Sequence, residues 1–291
     1  MTIADTIADW YDRGHRDLPW RAEGYPAWGI LISEFMLQQT PVARVIPRLA
    51  EWLARWPTPA DLAAVPPGEA VRAWDRLGYP RRALALHAAA TAIAAEHGNV
   101  VPREVAALLA LPGVGPYTAR AVAAFAYGVR VPVVDVNARR VLARGVEGHG
   151  EPGPAQTRRE LQLMESLLPR DEHRARLANA GVMELGQTVC TARAPRCDTC
   201  PIAGECAWRA AGYPPYEGPP APRQKRYEGS DRQVRGLILR ELRASDTAVP
   251  VGVIQALWPD AVQRERALDG LLRDGLVTGD PARGYALPDG T

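Results

Sequence analysis

The chain has 291 residues, of which 47% are hydrophobic, and a formal net charge of +2 at pH 7. This length accommodates one large domain or two to three smaller ones, and a core of that size needs no disulfide bonds. No apolar run is long enough to span a bilayer, and the polar, acidic start is not a secretory signal, which predicts a soluble cytoplasmic protein. Lys225 is the only lysine, so the first two hundred residues contain no side-chain amine for Schiff-base chemistry.

Helical periodicity dominates the first 210 residues. Apolar residues recur at helical spacing, and Pro and Gly residues mark the breaks between segments. The segments predicted to be helical are Ile3–Tyr11, Trp28–Leu37, Val42–Trp56, Ala70–Leu77, Leu84–Glu96, Val105–Leu111 and Tyr117–Tyr127. Strand-like alternation is nearly absent, so this part of the chain is predicted to be all-α, with short helices joined by tight turns.

Glu34 lies in the second of these segments, within the string SEFMLQQT, where the neighbouring residues are mostly apolar. A glutamate in this setting has two interpretations. It is either a buried residue satisfied by a backbone donor or an arginine, or an acid that holds its proton near neutral pH in a dry pocket. The local pattern favours the second interpretation and leaves the first open.

The string LPGVGPYTA, Leu111 to Ala119, separates two helical segments. Gly113 and Gly115 permit a turn that points backbone N–H groups outward at the start of the next helix. Such a helix start suits a phosphate, and the helix dipole adds to the attraction. An ordinary tight turn is the alternative, but the flanking Leu-Pro and Thr-Ala make the string specific. It predicts contact with the DNA backbone.

Asp135 follows an apolar stretch and precedes a helical segment. This is a favourable place for a helix N-cap, and also for an ionised carboxylate that stabilises a cation. Both roles can hold at once. Asn137, two residues further on, is placed to orient catalytic groups by hydrogen bonding.

The four cysteines follow the spacing Cys190-x6-Cys197-x2-Cys200-x5-Cys206. Their clustering indicates a metal site, because disulfide-forming cysteines are usually dispersed. Four thiolates suit either Zn²⁺ or a [4Fe–4S] cluster. Zinc sites favour two C-x2-C pairs and only one is present, so the asymmetric loop fits the cubane better. Arg193 and Arg196 make this a basic loop that we expect to face DNA.

Residues 212–230 are rich in Pro and Gly and are predicted to be a linker. The segments Arg232–Leu242, Val251–Leu257 and Ala261–Asp274 then read as helices, and LVTGDPARGYALP reads as two short strands around a turn. Three helices followed by a hairpin is the winged-helix pattern. Such a module either binds DNA or caps the protein.

Taken together, several strings resemble the adenine DNA glycosylase (MutY) branch of the helix–hairpin–helix base-excision glycosylases. They are DLPWR, SEFMLQQT, RLGYPRRA, LPGVGPYT, VDVNARRVLAR and MELGQTVC, in order across residues 10–210. The cysteine spacing resembles the cluster loop of the same branch and of endonuclease III. The resemblance implies a two-lobed all-α fold with a [4Fe–4S] loop. The implied domains are a six-helix domain at 25–134 and an iron–sulfur domain at 1–24 and 135–211. The winged-helix-like module at 231–291 comes from the pattern of helices and hairpin above and departs from the family.

The resemblance also implies roles for individual residues. Glu34 would protonate adenine at N7 and Asp135 would stabilise the sugar cation, with help from Tyr117 and Asn137. The residues expected to line the adenine pocket are Trp20, Arg21, Leu37 and Glu184. Those expected at the duplex are Gln39 and Tyr79, which would wedge into it, and Thr40, which would lie near the opposite base. Flat side chains that fill the hole left by an extruded base recover part of the lost stacking.

The predicted activity is hydrolysis of the N-glycosidic bond of adenine mispaired with 8-oxoguanine, G or C. Strand-nicking relatives carry a lysine where this chain has Tyr117, so a monofunctional enzyme is expected. Its partner would be duplex DNA containing a mispaired adenine, bound by a monomer associated with the nucleoid. The family usually has Tyr-Tyr where this chain has Tyr79-Pro80, and Gly where it has Val136. Longer members of the family end in a β domain that recognises 8-oxoguanine, whereas the tail here is shorter and is expected to be winged-helix-like.

Three other functions compete with this one. A thymine or uracil mismatch glycosylase on the same scaffold has less need for an acid such as Glu34. A bifunctional lyase is opposed by Tyr117. A non-catalytic iron–sulfur protein that binds DNA or senses redox state would have no use for both Glu34 and Asp135.

Overall fold

Helices make up most of the fold in the computed structural model, which describes residues 2–219 and 226–289. The α-helices are α1 Ile3–Gly14, α2 Ala27–Leu37, α3 Val42–Arg55, α4 Pro59–Ala63, α5 Pro67–Trp74, α6 Arg81–Glu96, α7 Val105–Ala110, α8 Pro116–Tyr127, α9 Val136–Gly145, α10 Thr157–Leu167, α11 Glu172–Thr188, α12 Ala207–Ala210, α13 Asp231–Ala244, α14 Val251–Ala256 and α15 Ala261–Arg273. Short 3₁₀ turns occur at Pro19–Arg21 and Cys197–Thr199. Lys225 and the middle of the predicted linker lie outside the described residues. Among the helices described, none has the length and apolar character needed to cross a lipid bilayer.

Short polar side chains fix the starts of several helices. Thr2 and Thr58 each form a capping box with the aspartate three residues later, at the starts of α1 and α4. Aspartates cap α9, α11 and α15 by accepting a backbone N–H three residues further along the chain. The all-α prediction for the first 210 residues is confirmed. The sequence pattern does not predict helix α4, because five residues are too few to show a helical period.

The chain folds as two compact units. The first unit contains Met1–Ile30, Arg103–Leu109 and Val114–Ala221, and the second contains Leu31–Pro102, Ala110–Gly113 and Pro222–Thr291. The C-terminal helices therefore belong to the same unit as α3 to α6. The domain boundaries given by the sequence stay predictions.

In the first unit, α11 is the central helix and packs against α1 and α9. The core between them consists of buried aliphatic side chains, including Ile7, Leu142 and Leu185. Gly181 allows α1 and α11 to approach closely, because a Cβ there would lie 2.8 Å from Cγ2 of Ile7. Gly186 does the same for α9, since its Cβ would lie 2.6 Å from the carbonyl oxygen of Asn137. Gly186 thus allows α11 to pack closely against α9, the helix that begins next to Asp135.

In the second unit, a tryptophan cluster forms part of the core. The ring of Trp52 meets those of Trp56 and Trp74 edge-on, with centroids 4.9 and 5.6 Å apart. Such pairs contribute about 0.5–1.5 kcal/mol each beyond the burial of their area. Helices α4 and α5 of the same unit both pack against α6.

The C-terminal residues form three helices and an antiparallel hairpin, as predicted. Strands β1 (Thr278–Asp280) and β2 (Gly284–Ala286) pair in the register Gly279 to Tyr285. Val249 adds a single bridge to Tyr285, with N–H···O distances of 2.7 and 2.9 Å. The sequence does not indicate this bridge, since one residue carries no alternation.

Candidate active site

Glu34 occupies the middle of α2, in a stretch where every residue from Ile30 to Met36 is buried. The residue is 5% exposed, and Ser33 is the other polar member of the stretch. The glutamate therefore lies in a helix segment of mostly apolar residues such as Ile32 and Phe35. This is the dry setting that the proton-donor interpretation of Glu34 requires.

Gln39 and Tyr79, the predicted wedge residues, lie side by side. The Tyr79 hydroxyl donates a hydrogen bond to Oε1 of Gln39 at 2.5 Å. Both residues have left-handed backbones, with φ of 55° and 48°, and Tyr79 is 49% exposed. Such conformations cost about 1–3 kcal/mol each in non-glycine residues and cluster at functional sites. The pair therefore forms a prominent, conformationally costly corner.

Arg82 stabilises this corner through hydrogen bonds and a cation–π contact. Its Nη1 donates to the carbonyl oxygen of Phe35 at 2.9 Å and its Nη2 to that of Gly78 at 3.3 Å. Its guanidinium also lies 4.9 Å from the ring centre of Tyr79. Burial lowers the pKa of Arg82. The residue ties the C-terminal part of α2 to the turn that carries Tyr79.

Leu37 and Thr40 lie at and just beyond the end of α2. Leu37 is half-buried, whereas Thr40 is buried and donates its hydroxyl hydrogen to the carbonyl oxygen of Leu77 at 3.1 Å. The hydroxyl of Thr40 thus joins two turns of the second unit. A role for Thr40 near the opposite base stays a prediction.

The hairpin between α7 and α8 has the glycine-dependent geometry expected from its sequence. Gly113 has φ of 72°, and a Cβ on it would lie 2.5 Å from Cβ of Ala85. Gly115 is the N-cap of α8 and contributes no capping side chain, while Pro116 takes the first helical position. Tyr117 follows in the first turn and is half-buried. An uncapped helix start of this kind supports the predicted phosphate contact.

Asp135 caps α9 and belongs to a hydrogen-bonded network. Its Oδ1 accepts the backbone N–H of Ala138 at 2.7 Å, and its Oδ2 accepts Nδ2 of Asn137 at 2.9 Å. Arg140 donates to Oδ1 of Asn137 at 2.8 Å and, through Nε, to the carbonyl oxygen of Cys190 at 2.7 Å. A continuous path of polar contacts therefore runs from the carboxylate to the first cysteine of the metal loop.

The acidity of Asp135 reflects two opposed effects. Burial raises the pKa of this carboxyl, whereas the donors from Ala138 and Asn137 lower it. Burial prevails, so the pKa of Asp135 lies above its ordinary value. The carboxylate is thus a stronger base than a surface aspartate, with two donors that hold its orientation.

Glu184 is a buried carboxylate held by two arginines. Nε of Arg16 lies 2.6 Å from Oε1, and Nη1 of Arg21 lies 2.7 Å from Oε2. Burial raises the pKa of Glu184, but the bonds and charges of the two arginines outweigh it and lower the pKa. Trp20, in the 3₁₀ turn before Arg21, is partly exposed. Arg21 and Glu184, both predicted to line the adenine pocket, are thus paired within one unit.

The four cysteines line one cavity together with Val141, Arg144, Ile202 and Trp208. Among the residues described, no group of three or more His, Cys, Asp or Glu side chains could hold a single metal ion. A cubane differs from a single ion, because each thiolate binds a separate iron at its own corner. Four thiols spread around one cavity therefore fit a [4Fe–4S] cluster better than a tetrahedral zinc ion.

Arg144 is a buried arginine at the wall of this cavity, with 3% of its surface exposed. Its Nη1 lies 3.6 Å from Sγ of Cys190, and its guanidinium lies 4.7 Å from the ring centre of Trp208. It also donates to the carbonyl oxygens of Gly150 and Thr191, both at 2.7 Å. A fixed positive charge therefore stands beside a predicted thiolate ligand.

Burial also affects the thiols themselves. It raises the pKa of Cys190, and it raises that of Cys200 to about 11. Without a metal these two side chains would stay protonated at neutral pH. Cluster binding must therefore displace protons from both, which makes assembly of the loop pH-dependent.

Comparison of the sequence with known proteins identifies the family of this chain. A model of the HhH-GPD superfamily of base excision DNA repair proteins matches residues 32–166, and the iron–sulfur binding domain of endonuclease III matches residues 190–206. Adenine DNA glycosylase of Mycobacterium tuberculosis (strain ATCC 25618 / H37Rv) is 52% identical, covering 98% of this chain and 94% of the relative. That of Mycolicibacterium smegmatis is 55% identical, covering 93% and 91%. The chain belongs to the adenine DNA glycosylase family.

Solved structures agree with this membership at the level of the fold. A thermostable thymine-DNA glycosylase superposes with a TM-score of 0.65 at 28% identity, covering 72% of this chain and 95% of that one. An endonuclease III in a DNA complex gives 0.61 at 22% identity, covering 72% and 94%. This adenine DNA glycosylase family member therefore has the predicted helix–hairpin–helix fold. The match of residues 190–206 to the iron–sulfur binding domain of endonuclease III confirms the predicted [4Fe–4S] cofactor.

The predicted site residues of the glycosylase are divided between the two units. Leu31–Pro102 contains Glu34 and the Gln39–Tyr79 corner, whereas the first unit contains Tyr117, Asp135, Asn137, the Arg21–Glu184 pair and the cysteines. Sequence reasoning missed Arg82, Arg140 and Arg144, although they stand inside the strings RLGYPRRA and VDVNARRVLAR. The signal available was the four-residue spacing of Arg140 and Arg144, which places both on one face of α9.

Proposed function

We propose that this protein removes adenine from mispairs in duplex DNA, above all adenine opposite 8-oxoguanine, and also opposite G or C. The observation that carries the proposal is the buried carboxyl of Glu34 in the apolar α2. An acid in a dry site is what departure of a purine needs, since the base is a poor leaving group until a ring nitrogen is protonated. Family membership supports the choice of adenine.

The proposed reaction divides its work between two carboxyl groups. Glu34 donates a proton to N7 of adenine while the bond between N9 and C1′ breaks and its electron pair leaves with the base. Asp135, ionised and held by Asn137 and Ala138, stabilises the positive charge that develops on the sugar. Water then adds to C1′ and releases a proton, which completes the hydrolysis.

We propose that the reaction ends at the abasic site without cutting the strand. Tyr117 stands where strand-nicking relatives carry lysine, and a tyrosine cannot form a Schiff base. The only lysine of the chain, Lys225, lies outside the described residues. Borohydride should therefore trap little covalent protein–DNA adduct, and trapping in high yield would refute this part of the proposal.

The [4Fe–4S] cluster is proposed to act structurally. When bound, it would fix the loop of residues 190–206, held by Cys190, Cys197, Cys200 and Cys206. Arg193 and Arg196 belong to this loop, and Arg193 is exposed, so its charge is available to DNA phosphates.

A mismatch glycosylase for thymine or uracil is the second candidate. A thymine/uracil-DNA glycosylase of Pyrobaculum aerophilum is 36% identical over 68% of this chain, and the thymine-DNA glycosylase above shares the fold. A pyrimidine leaves with less need for a ring-nitrogen acid, so this candidate gives Glu34 no clear role.

Base release from defined duplexes separates the two candidates. The purified protein is incubated with duplexes pairing A with 8-oxoguanine, A with G, A with C, and T with G, and abasic sites are then cleaved by alkali. We expect adenine release that is lost in Glu34→Gln and Asp135→Asn. The exposed carboxyls Glu23 and Asp12 provide matched controls, as Glu23→Gln and Asp12→Asn. Activity confined to T opposite G would overturn the proposal.

We also propose that the protein acts as a monomer on the nucleoid in the cytoplasm, because each assigned role is filled by one copy of the chain. Sedimentation of the free protein and of its DNA complex should give one protein per duplex. A stable dimer in both states would contradict this.

A further inference from the structure

A large basic groove runs along one side of the second unit. Its wall is formed partly by α3, α5 and α6 and partly by α13 of the C-terminal module (residues 231–289). Two aspartates, Asp75 and Asp274, line it. The arginines that line it are Arg44, Arg48, Arg72, Arg76, Arg81, Arg82, Arg232, Arg235, Arg240 and Arg243. The groove is therefore strongly positive.

Much of this charge is not neutralised by the surrounding protein. Arg44 and Arg243 donate to backbone carbonyl oxygens, which satisfy hydrogen bonds without cancelling a charge. Arg81 and Arg235 share one carboxylate, that of Asp274. Other carboxylates that pair with groove arginines include Asp75, Glu51, Glu69, Glu241 and Asp246. In the described part of the chain, the ten groove arginines outnumber the six carboxylates named here, which leaves the groove with a net positive charge.

The C-terminal module is fixed to the rest of the unit by reciprocal contacts. Arg72 donates to the carbonyl oxygens of Arg243 and Ser245, the latter at 3.0 Å, and Arg243 donates to that of Val71 at 3.0 Å. The N–H of Gly68 donates to the carbonyl oxygen of Pro288 at 2.7 Å. Burial lowers the pKa of Arg243 to about 10. The arginines of α13 are therefore held in a defined place relative to α5.

The Gln39–Tyr79 corner lines the same groove. If the Gln39–Tyr79 corner inserts between the bases of a duplex, the phosphates next to the insertion lie along the groove wall formed by α13. On α13, Arg232 and Arg240 lie eight residues apart, which separates them by about 12 Å along the helix axis. That length spans about three phosphates of one strand at about 3.4 Å of axial rise each.

We propose that the C-terminal module is a DNA-backbone-binding element, with Arg232, Arg235 and Arg240 of α13 holding the phosphates beside the Gln39–Tyr79 corner. Arginine suits this task because its planar guanidinium matches phosphate geometry. The inference goes beyond base excision itself and rests on the proposed function for the wedge role of Gln39 and Tyr79. It assigns the winged-helix-like segment to binding and not merely to capping.

Salt-dependent binding to undamaged DNA tests the proposal. Fluorescence anisotropy with an undamaged duplex of about 25 base pairs is measured between about 50 and 200 mM salt. In Arg232→Gln/Arg240→Gln the slope of log K against log salt should fall by about two, and affinity should fall on the order of tenfold at the lower salt. Arg273→Gln/Arg283→Gln is the matched control, since both arginines belong to the module and lie outside the groove.

An unchanged slope in the groove variant, or an equal fall in the control, would overturn the proposal. Hydroxyl-radical footprints give a second readout, and the groove variant should lose protection of a few consecutive sugars on one strand. Adenine release is measured on the wild-type preparation in parallel. If wild type releases no adenine while the slopes differ as expected, the proposed function fails and the groove assignment stands.

Discussion

At the scale of single residues, Asp135 serves structure and chemistry through the same two oxygens. It caps α9 by accepting the N–H of Ala138, and Asn137 holds its other oxygen. An N-cap of this type is worth about 1 kcal/mol, and asparagine serves nearly as well as aspartate. The charge is therefore dispensable for the cap, and its presence is explained by the proposed catalytic role.

Asp135→Asn should separate stability from activity. Because burial raises the pKa of Asp135 above its ordinary 3.8, the ionised carboxylate costs folding free energy at any pH above its folded pKa. This cost vanishes below about pH 3.8, where the group is protonated in both states. In the variant the Nδ2 of Asn137 loses its acceptor, which offsets the relief of the buried charge. We therefore expect a melting temperature at neutral pH close to that of wild type, and a lower one than wild type on acidification. Adenine release should fall at least about a hundredfold.

Thermal unfolding scanned across pH, with single-turnover kinetics on the same samples, measures both effects. A melting temperature well below wild type at neutral pH would show that the charge supports the fold, contrary to this account.

At the scale of elements, the hairpin between α7 and α8 depends on one of its two glycines. Gly113 combines a φ of 72° with a close approach to Ala85, whereas Gly115 has φ of −89° and open space around its Cβ position. Gly113→Ala should therefore lower the free energy of unfolding by about 1–3 kcal/mol. Gly115→Ala should change it by well under about 1 kcal/mol, and denaturant unfolding of both variants provides the comparison. Equal effects would show that the hairpin geometry is wrong.

The loop that carries the four cysteines depends on Arg144. Arg144→Gln removes a charge beside Cys190 and leaves carbonyl oxygens of Gly150 and Thr191 without their donor. Each orphaned group costs about 1–3 kcal/mol. We expect the purified variant to contain much less iron–sulfur cluster than wild type, measured as absorbance at about 400 nm per mole of protein. The exposed Arg193→Gln should retain full absorbance, and a fully loaded Arg144→Gln would contradict the assigned role.

Periodicity predicted the helices because an amphipathic stripe repeats over several turns. It could not predict α4 or the Val249 bridge, which are too short to repeat. Glu34, Asp135 and the cysteines could be singled out because each has an unusual chemical setting within its local sequence. The four-residue spacing of Arg140 and Arg144 places both on one face of α9. The spacing assigns no role to them, and nothing comparable marks Arg82, because the carbonyl acceptors of these arginines lie up to about fifty positions away in the chain.

At the scale of the whole molecule, the C-terminal module shares a compact unit with α3 to α6. Arg72→Leu should loosen it, because Arg72 bonds to the carbonyl oxygens of Arg243 and Ser245. We expect faster amide exchange in α13 and no change in α11 of the other unit. Arg55→Leu is the control, since Arg55 also pairs with Glu69 and no bond joins it to the module in the part of the chain described. Slower or unchanged exchange in α13 would contradict the docking described here.

In the proposed mechanism, one carboxyl gives a proton to the departing purine while the other stays ionised and stabilises the sugar cation. Single-turnover base release from a duplex carrying 7-deazaadenine opposite 8-oxoguanine tests this division of roles, because that base lacks the nitrogen that Glu34 is proposed to protonate. We predict binding close to that of the adenine duplex and release slowed by at least about a hundredfold. Release of 7-deazaadenine at a rate comparable to adenine, or full activity of Glu34→Gln, would show that Glu34 is not the proton donor.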